Sequence, residues 1–362
     1  MGCAGTLEVR HDTCVDIAAD SAGSSPPGEK EMQNQPPQSN RVSHQPQVRY
    51  SSLRILTGSD LSRRRLPVMS ARSANPGPVV WMTAAVHGDE VGGIIVVQEV
   101  FRSIRRRLLR GSVHAFPLMN PIGLDTSSRT ITVTREDLNR SFPGNPTGSL
   151  GERIAHLILS TIMDTGPDLV LDLHNDWIRS IPYVLLDQPT KAISKEADRT
   201  AIRFARLTGL CLIREAEALA GTLTLNLLEH GVPAITLELG EPLVVNERNI
   251  EYGVRSVQNI LSHLEMIDPV ETPFAYPVPP PYGGGVILRY SDRPFSSMSG
   301  IARFLCKPGD AVKCGQPLVR VVNAFGKQLE TIRAIGDGFV LGHSDQSVVF
   351  PGTPVVSFGI RD

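Results

Sequence analysis

Three stretches constrain the fold of this chain more than any others: "VVWMTAAVHGDEVGG" (79–93), "DLVLDLHND" (168–176) and "PAITLELGE" (233–241). Each is a near-continuous apolar run that stops at a histidine or a glutamate. A strand apolar on both faces must be covered on both faces, so helices are required on either side of its sheet. Helical patterns lie between the runs. After Glu90 the spacing of Val97, Phe101, Ile104 and Leu108 predicts a helix through about residue 109. "SVHAFPLMN" reads as a strand, and "SLGERIAHLILSTIMD" as a helix opened by the capping box Ser149-x-x-Glu152. The alternation predicts an α/β domain over residues 47–268, its sheet mixed or mostly parallel, with ligands beyond the carboxyl ends of the strands.

The flanks differ in composition. Residues 1–46, rich in Ser, Pro, Gln, Gly and Asn, cannot bury enough apolar surface to offset ordering and are expected to be disordered. A Pro-rich run at 269–284 is expected to be a linker or an embracing loop. Residues 285–362 break into short β-runs with Gly/Pro turns ("VILRY", "GIARFLC", "QPLVRVV", "DGFVLG", "TPVVSFG"), the pattern of a small all-β barrel or sandwich. An apolar content of 41% supports a sizeable core, and a net charge of -1 argues against nucleic acid as partner. The arginines of "RSIRRRLLRG" are expected on a solvated helix face. Five cysteines without metal-type spacing suggest reduced thiols and a cytoplasmic setting. No run reaches the roughly 18 apolar residues of a membrane span, so no membrane partner is expected. The opening "MGCAGT" does fit a myristoylation pattern with Cys3 beside it. Oligomeric state, including a homo-oligomer, stays open.

The chemistry sits where the strands end. His87-x-x-Glu90, His174 and Glu238 interrupt apolar runs, and a buried unpaired charge costs several kcal/mol unless it finds a partner or a metal. Singly, each has an ordinary reading: a solvated turn, a satisfied strand-end histidine, a helix cap. Together, two imidazoles and a carboxylate form a catalytic zinc set that leaves a position for water, and Glu238 stays free as a base. Asp172, two residues before His174, either orients that imidazole or pairs with a surface cation. The segment "LMNPIGLDTSSRTITVTREDLNRSFPGNP" adds Asn120, Arg129, Asn139 and Arg140, donors able to grip a carboxylate or an oxyanion. Arg214, Glu215 and Glu217 in "LCLIREAEALAG" are candidates to line the pocket.

His87-Gly88-Asp89-Glu90, "DLNRSFPG" (137–144), Asp172-Leu173-His174 and Glu238-Leu239-Gly240, in this order, resemble the succinylglutamate desuccinylase/aspartoacylase family. The resemblance covers about residues 75–265 and continues into the β segment. It implies a zinc-carboxypeptidase-like mixed sheet covered by helices, followed by a lipoyl-like barrel. It also implies one Zn2+ on His87, Glu90 and His174, with Glu238 as general base and later proton donor. Asn139 and Arg140 would hold a substrate carboxylate. The carbonyl-polarising arginine maps to Arg129 in "SSRT", with Arg135 as the fallback. The implied reaction is hydrolysis of the amide of a small N-acylated amino acid. The tandem with a β module looks more loosely like members that deacetylate N-acetyl-2,4-diaminobutyrate.

Three other readings compete. A zinc carboxypeptidase would cleave peptides at the same site. A non-catalytic metal-binding or scaffolding protein would hold the ion without turnover. The tail also resembles a lipoyl or biotinyl carrier, with Lys327 near the hairpin position, but "AFGKQLE" lacks the usual flanking residues. A β barrel packed against the active site is the plainer reading there.

Overall fold

The computed structural model describes residues 45–57, 61 and 63–361. The "MGCAGT" opening, Cys3 and Cys14 lie outside the described residues, as does the expected disordered extension except for its last two positions.

The chain begins with an antiparallel hairpin, β1 (Gln47–Thr57) and β2 (Arg63–Arg72). It continues through β3 (Val79–Ala84), α1 (Gly92–Ile104), β4 (Ser112–Phe116), α2 (Pro121–Leu124), α3 (Leu150–Met163) and β5 (Leu169–His174). Next come β6 (Arg179–Ser180), β7 (Tyr183–Leu186), α4 (Lys195–Leu207), β8 (Cys211–Arg214), α5 (Leu223–Glu229), β9 (Ala234–Glu238) and α6 (Glu247–His263). The last part is all strand: β10 (Ile287–Ser291), β11 (Gly300–Phe304), β12 (Ala311–Val312), β13 (Pro317–Val322), β14 (Gln328–Arg333), β15 (Gly338–His343), β16 (Val348–Val349) and β17 (Val356–Ile360).

The expected α/β pattern is present, and the sheet is mixed. Strands β4, β3, β5 and β9 run parallel side by side; β7 turns antiparallel against β9, and β8 and β10 follow β7 in parallel. The apolar runs are buried along their length: every residue of β5 and β9 is buried. Val97, Phe101, Ile104 and Leu108 form the buried stripe that their spacing predicted, each contributing about 1.5–3 kcal/mol by leaving water. Helix α1 stops at Ile104, short of residue 109, because the arginines that follow turn out to solvent while Leu108 folds back into the core. At the start of α3 the Ser149 side chain accepts from the Glu152 N–H and Glu152 accepts from the Ser149 N–H, which is the reciprocal cap the spacing implied. The β1–β2 hairpin was not foreseen. Its three successive arginines, Arg63, Arg64 and Arg65, open strand β2.

Strand β10 pairs in parallel with β8, and β17, β15 and β12 extend the same sheet. The hydrogen bonding therefore crosses from the α/β part into the β segment without a break. Physically, β8 would otherwise present an open strand edge, and β10 covers it. A second sheet, β14-β13-β11-β16, packs beside these strands around Val319, Val321 and Val340. The Pro-rich segment embraces the α/β part. The Asn259 amide accepts from Phe274 N–H at 3.1 Å and donates to its carbonyl at 3.0 Å, and Phe274 and Tyr282 are buried. Lys327 is exposed at the turn between β13 and β14, its N–H donating to Asn323 Oδ1. Among the described residues no helix is long and apolar enough to cross a membrane.

Candidate active site

The three polar interruptions meet at one edge of the sheet. Leaving β3, the chain turns at Ala85 (φ 51), a left-handed conformation that costs a non-glycine residue of order 1 kcal/mol. The next turn carries His87 and Glu90, with Glu90 N–H donating to the His87 carbonyl at 3.2 Å. Gly88 makes the turn possible: its N–H donates to Ser128 O at 2.9 Å, and a Cβ there would lie 2.0 Å from the Gly123 backbone. Strand β5 delivers His174 at its last residue, and the register of β5 on β9 sets His174 directly opposite Glu238. His87, Glu90, His174 and Glu238 are all buried.

His87 Nδ1 lies 2.6 Å from Glu90 Oε1, and His174 Nδ1 lies 3.2 Å from Glu90 Oε2. One ligand atom from each of His87, Glu90 and His174 falls within 4.8 Å of the others. The outer nitrogens face carboxylates: His174 Nε2 is 2.9 Å from Asp172 Oδ2, and His87 Nε2 is 3.3 Å from Asp137 Oδ1. Asp172 is itself fixed by the Thr83 hydroxyl, which donates to Oδ1 at 2.6 Å. Of its two sequence readings, orientation of the imidazole is the one this geometry serves. A neutral imidazole holding its proton on Nε2 offers a lone pair on Nδ1. Two such lone pairs then point at one carboxylate, an arrangement of acceptors that favours a cation between them. The electrostatics agree. Burial disfavours the charged forms of both histidines, yet Glu90 beside His87, and Asp172 with Glu90 beside His174, raise both pKa values above the ordinary range. Burial likewise opposes ionisation of Glu90, but His174 and His87 hold its pKa well down. Two imidazoles and a carboxylate, each second nitrogen held by an acid, fit a divalent ion such as zinc.

A cavity of about 560 Å³ opens over this group. Arg129, Asn139, Arg140 and Glu238 all line it, together with the three candidate ligands. Arg129 is half exposed at 3.8 Å from Glu90 and 3.3 Å from Asp137. Arg135 is exposed, φ 61, and not among the lining residues. Asn139 is buried, its Oδ1 accepting from Leu223 N–H at the start of α5, and Arg140 donates to the Asn139 carbonyl at 2.7 Å. Asn120 serves structure, capping α2 through Gly123 N–H. Glu238 Oε2 is buried without a hydrogen-bond partner among the described residues, and burial pushes its carboxyl pKa well up. The family model of the succinylglutamate desuccinylase/aspartoacylase catalytic domain matches residues 76–264, more than half of the 362.

The chain belongs to the succinylglutamate desuccinylase/aspartoacylase family. Within reach of that family by sequence is the N-alpha-acetyl-L-2,4-diaminobutyric acid deacetylase of Halomonas elongata, 28% identical over 256 residues, 68% of this chain and 70% of the relative. By structure the chain is similar to the ectoine utilization protein EutE (DoeB) of Ruegeria pomeroyi, at TM-score 0.74 and 21% identity over 88% of this chain and 96% of the other. It is also similar to a succinylglutamate desuccinylase/aspartoacylase from Rhodobacter sphaeroides, at TM-score 0.73 and 21% identity over 88% and 96%. These structural likenesses extend the shared fold well past the residues the family model matches.

In this family member the cavity does not stop beyond the strand ends. It runs back along one face of β9 and β7, where Thr236, Tyr183 and Leu185 line it. Sequence reasoning gave no role to Asp137, Asp176, Asp187 or Tyr290: the first two lie in "DLNRSFPG" and "DLVLDLHND" beside residues with stronger signals, and the last two reach the cavity only through strand pairing. Glu215 and Glu217 do line the cavity; Arg214 does not, since its guanidinium donates to Asp187 O at 2.7 Å and to Asp198 Oδ1 at 3.1 Å.

Proposed function

We propose that the protein is a zinc-dependent hydrolase that cleaves the amide of a small N-acylated amino acid. The observation that carries this is the convergence of His87, Glu90 and His174 beside a free buried glutamate in a family of deacylases. The Halomonas elongata relative, named as a deacetylase of an acylated amino acid, supports the same substrate class. A divalent ion held by His87, Glu90 and His174 supplies Lewis acidity toward water and an acyl oxygen, and positive charge that favours ionised Glu238. Glu238 Oε2 takes the proton of the attacking water and passes it to the leaving amine nitrogen. Arg129, at the mouth, faces the charge that develops on the acyl oxygen. Arg140 and the Asn139 amide nitrogen hold the substrate carboxylate. Asp172 and Asp137 keep the two imidazoles in the tautomer and orientation that ligation needs. The free thiols of Cys211, Cys306 and Cys314 suit a cytoplasmic setting.

The test is a panel of N-acyl amino acids, with a short peptide beside them, offered to zinc-loaded protein and scored for free amine. Release of amine from the acyl amino acids alone is expected. Turnover of the peptide alone would favour a carboxypeptidase, and zinc binding without turnover of either would favour a non-catalytic role.

A further inference from the structure

The chain between the ligand strand β5 and β7 is held from two sides. On the α/β side, the His174 carbonyl accepts from Leu239 N–H at 2.9 Å, and Asp176 N–H donates to Gly240 O at 2.9 Å. The Asn175 side chain accepts from Gly92 N–H at 3.2 Å and donates to Gly240 O and Glu241 O at 3.2 and 2.9 Å. From residue 178 onward the β segment takes over. Asp345 Oδ1 accepts from Ile178 N–H at 2.5 Å, and Arg179 and Ser180 pair with His343 and Gly342 of β15. Ile181 N–H then donates to Leu341 O at 2.9 Å.

Asp176 and Trp177 stand between the two anchorages. Asp176 lines the cavity, and its Oδ2 accepts from the Tyr183 hydroxyl at 3.0 Å. Tyr183 also lines the cavity and stands opposite Glu238 in the register of β7 on β9. Part of the wall beside the base is therefore a short loop whose far end is fixed from the β segment. Ile178 lies one residue before the β6–β15 ladder, so its N–H turns to the Asp345 side chain instead. A loop tied at both ends has fewer backbone states than one tied at a single end, and holds its side chains closer to one geometry.

We propose that Asp345 is a positioning residue for the hydrolysis: through the Ile178 N–H it keeps the Asp176–Tyr183 contact in place beside Glu238. The inference rests on the hydrolase reading above and gives the β segment a working part in that site. The role is separate from metal ligation, because the contacts that anchor the His174 backbone and Asn175 come from the α/β part. It also depends on an acceptor oxygen and not on charge. The amide oxygen of an asparagine can take the same N–H, whereas an alanine cannot.

The experiment measures kcat of the zinc-loaded full chain on the fastest member of the N-acyl amino acid panel. The wild type is compared with Asp345→Ala, Asp345→Asn, Tyr183→Phe and Tyr183→Phe/Asp345→Ala, with zinc per chain and circular dichroism read on each sample. Asp345→Ala is expected to lower kcat about tenfold, the order of one charge-assisted hydrogen bond, at unchanged zinc content. Asp345→Asn is expected to recover most of that loss. In the Tyr183→Phe background the loss on Asp345→Ala is expected to shrink below about threefold, because the contact that Asp345 protects is already gone. Tryptophan emission gives a readout free of turnover. Of the two tryptophans, Trp81 is buried in the core and Trp177 is half-buried in the loop. A shift to longer wavelength in Asp345→Ala, absent in Asp345→Asn, is therefore expected from Trp177. Unchanged kcat in Asp345→Ala, equal losses in the alanine and asparagine variants, loss of zinc along with activity, or fully additive losses in the double variant overturns the positioning role and leaves the hydrolase reading intact. A wild type that cleaves no N-acyl amino acid overturns the hydrolase reading; the brace on the loop then stands if the emission shifts in Asp345→Ala alone, and falls if it does not.

Discussion

At one end of the cavity, His87, Glu90, His174 and Glu238 sit at or just past the carboxyl ends of β3, β5 and β9; the first three are held to one another by close polar contacts, and Glu238 stands opposite His174 in the strand register. At the other end, Asp187 and Glu215, just past β7 and β8, and Tyr290 of β10 form a row whose carboxylates make no ion pair among the described residues. The first end is pre-assembled, with every imidazole nitrogen facing an acid, and is suited to fixed chemistry. The second carries two acids whose ionisation burial opposes, against partial relief from Thr224 and Arg214 at Asp187 and from Arg140 at Glu215. The two ends lie on strands of opposite direction in a single mixed sheet.

The largest effects are expected at the pre-assembled end. Glu238→Gln should retain bound zinc while turnover falls by about 10²–10⁴, read from metal content and kcat on one sample. Loss of the metal along with activity would place Glu238 in the ligand set. Next, Arg129→Ala should cost about 10²–10³ in kcat, while Arg135→Ala, outside the cavity, should change it little. The reverse order would mean that the wrong arginine has been assigned to the acyl oxygen. Asp172→Asn breaks the carboxylate behind His174 and should weaken zinc affinity by about 10–100-fold, measured by competition with a chelator.

The smallest effect belongs to the other end. Asp187 and Glu215 have folded-state pKa values raised to about 6 and about 7, above their ordinary 3.8 and 4.5. Their protonated forms stabilise the fold fully below about pH 4, and that contribution is lost as pH rises through 6 to 7. Glu215→Gln should therefore raise Tm relative to the wild type more at pH 8 than at pH 5, in thermal melts at both. An equal change at the two pH values would show that Glu215 carries no strained charge.

The contrast between the ends also explains what could be read in advance. His87, His174 and Glu238 each end an apolar strand, so a one-dimensional pattern exposes them, and their fixed order adds specificity. The α1 stripe and the Ser149 cap are legible for the same reason: their physics lies within a few residues of sequence. Asp187 and Tyr290 join the cavity only through the pairing of β7, β8 and β10, and the last of these lies beyond the Pro-rich segment. No local pattern announces that β10 will cover the edge of β8, so the β segment read as separate although its ladder continues the main sheet. Arg214 illustrates the converse error. Its neighbour in sequence faces the cavity, but side chains alternate along a strand, and Arg214 turns to Asp198.

The central claim is that His87, Glu90 and His174 together hold one divalent ion. Elemental analysis of zinc per chain, after loading and exhaustive dialysis, tests it most directly on the wild type and on His174→Ala, with circular dichroism confirming the fold of both. One zinc ion per chain in the wild type and a near-complete loss in the variant is the predicted result. Equal zinc in both, or none in either, would contradict it.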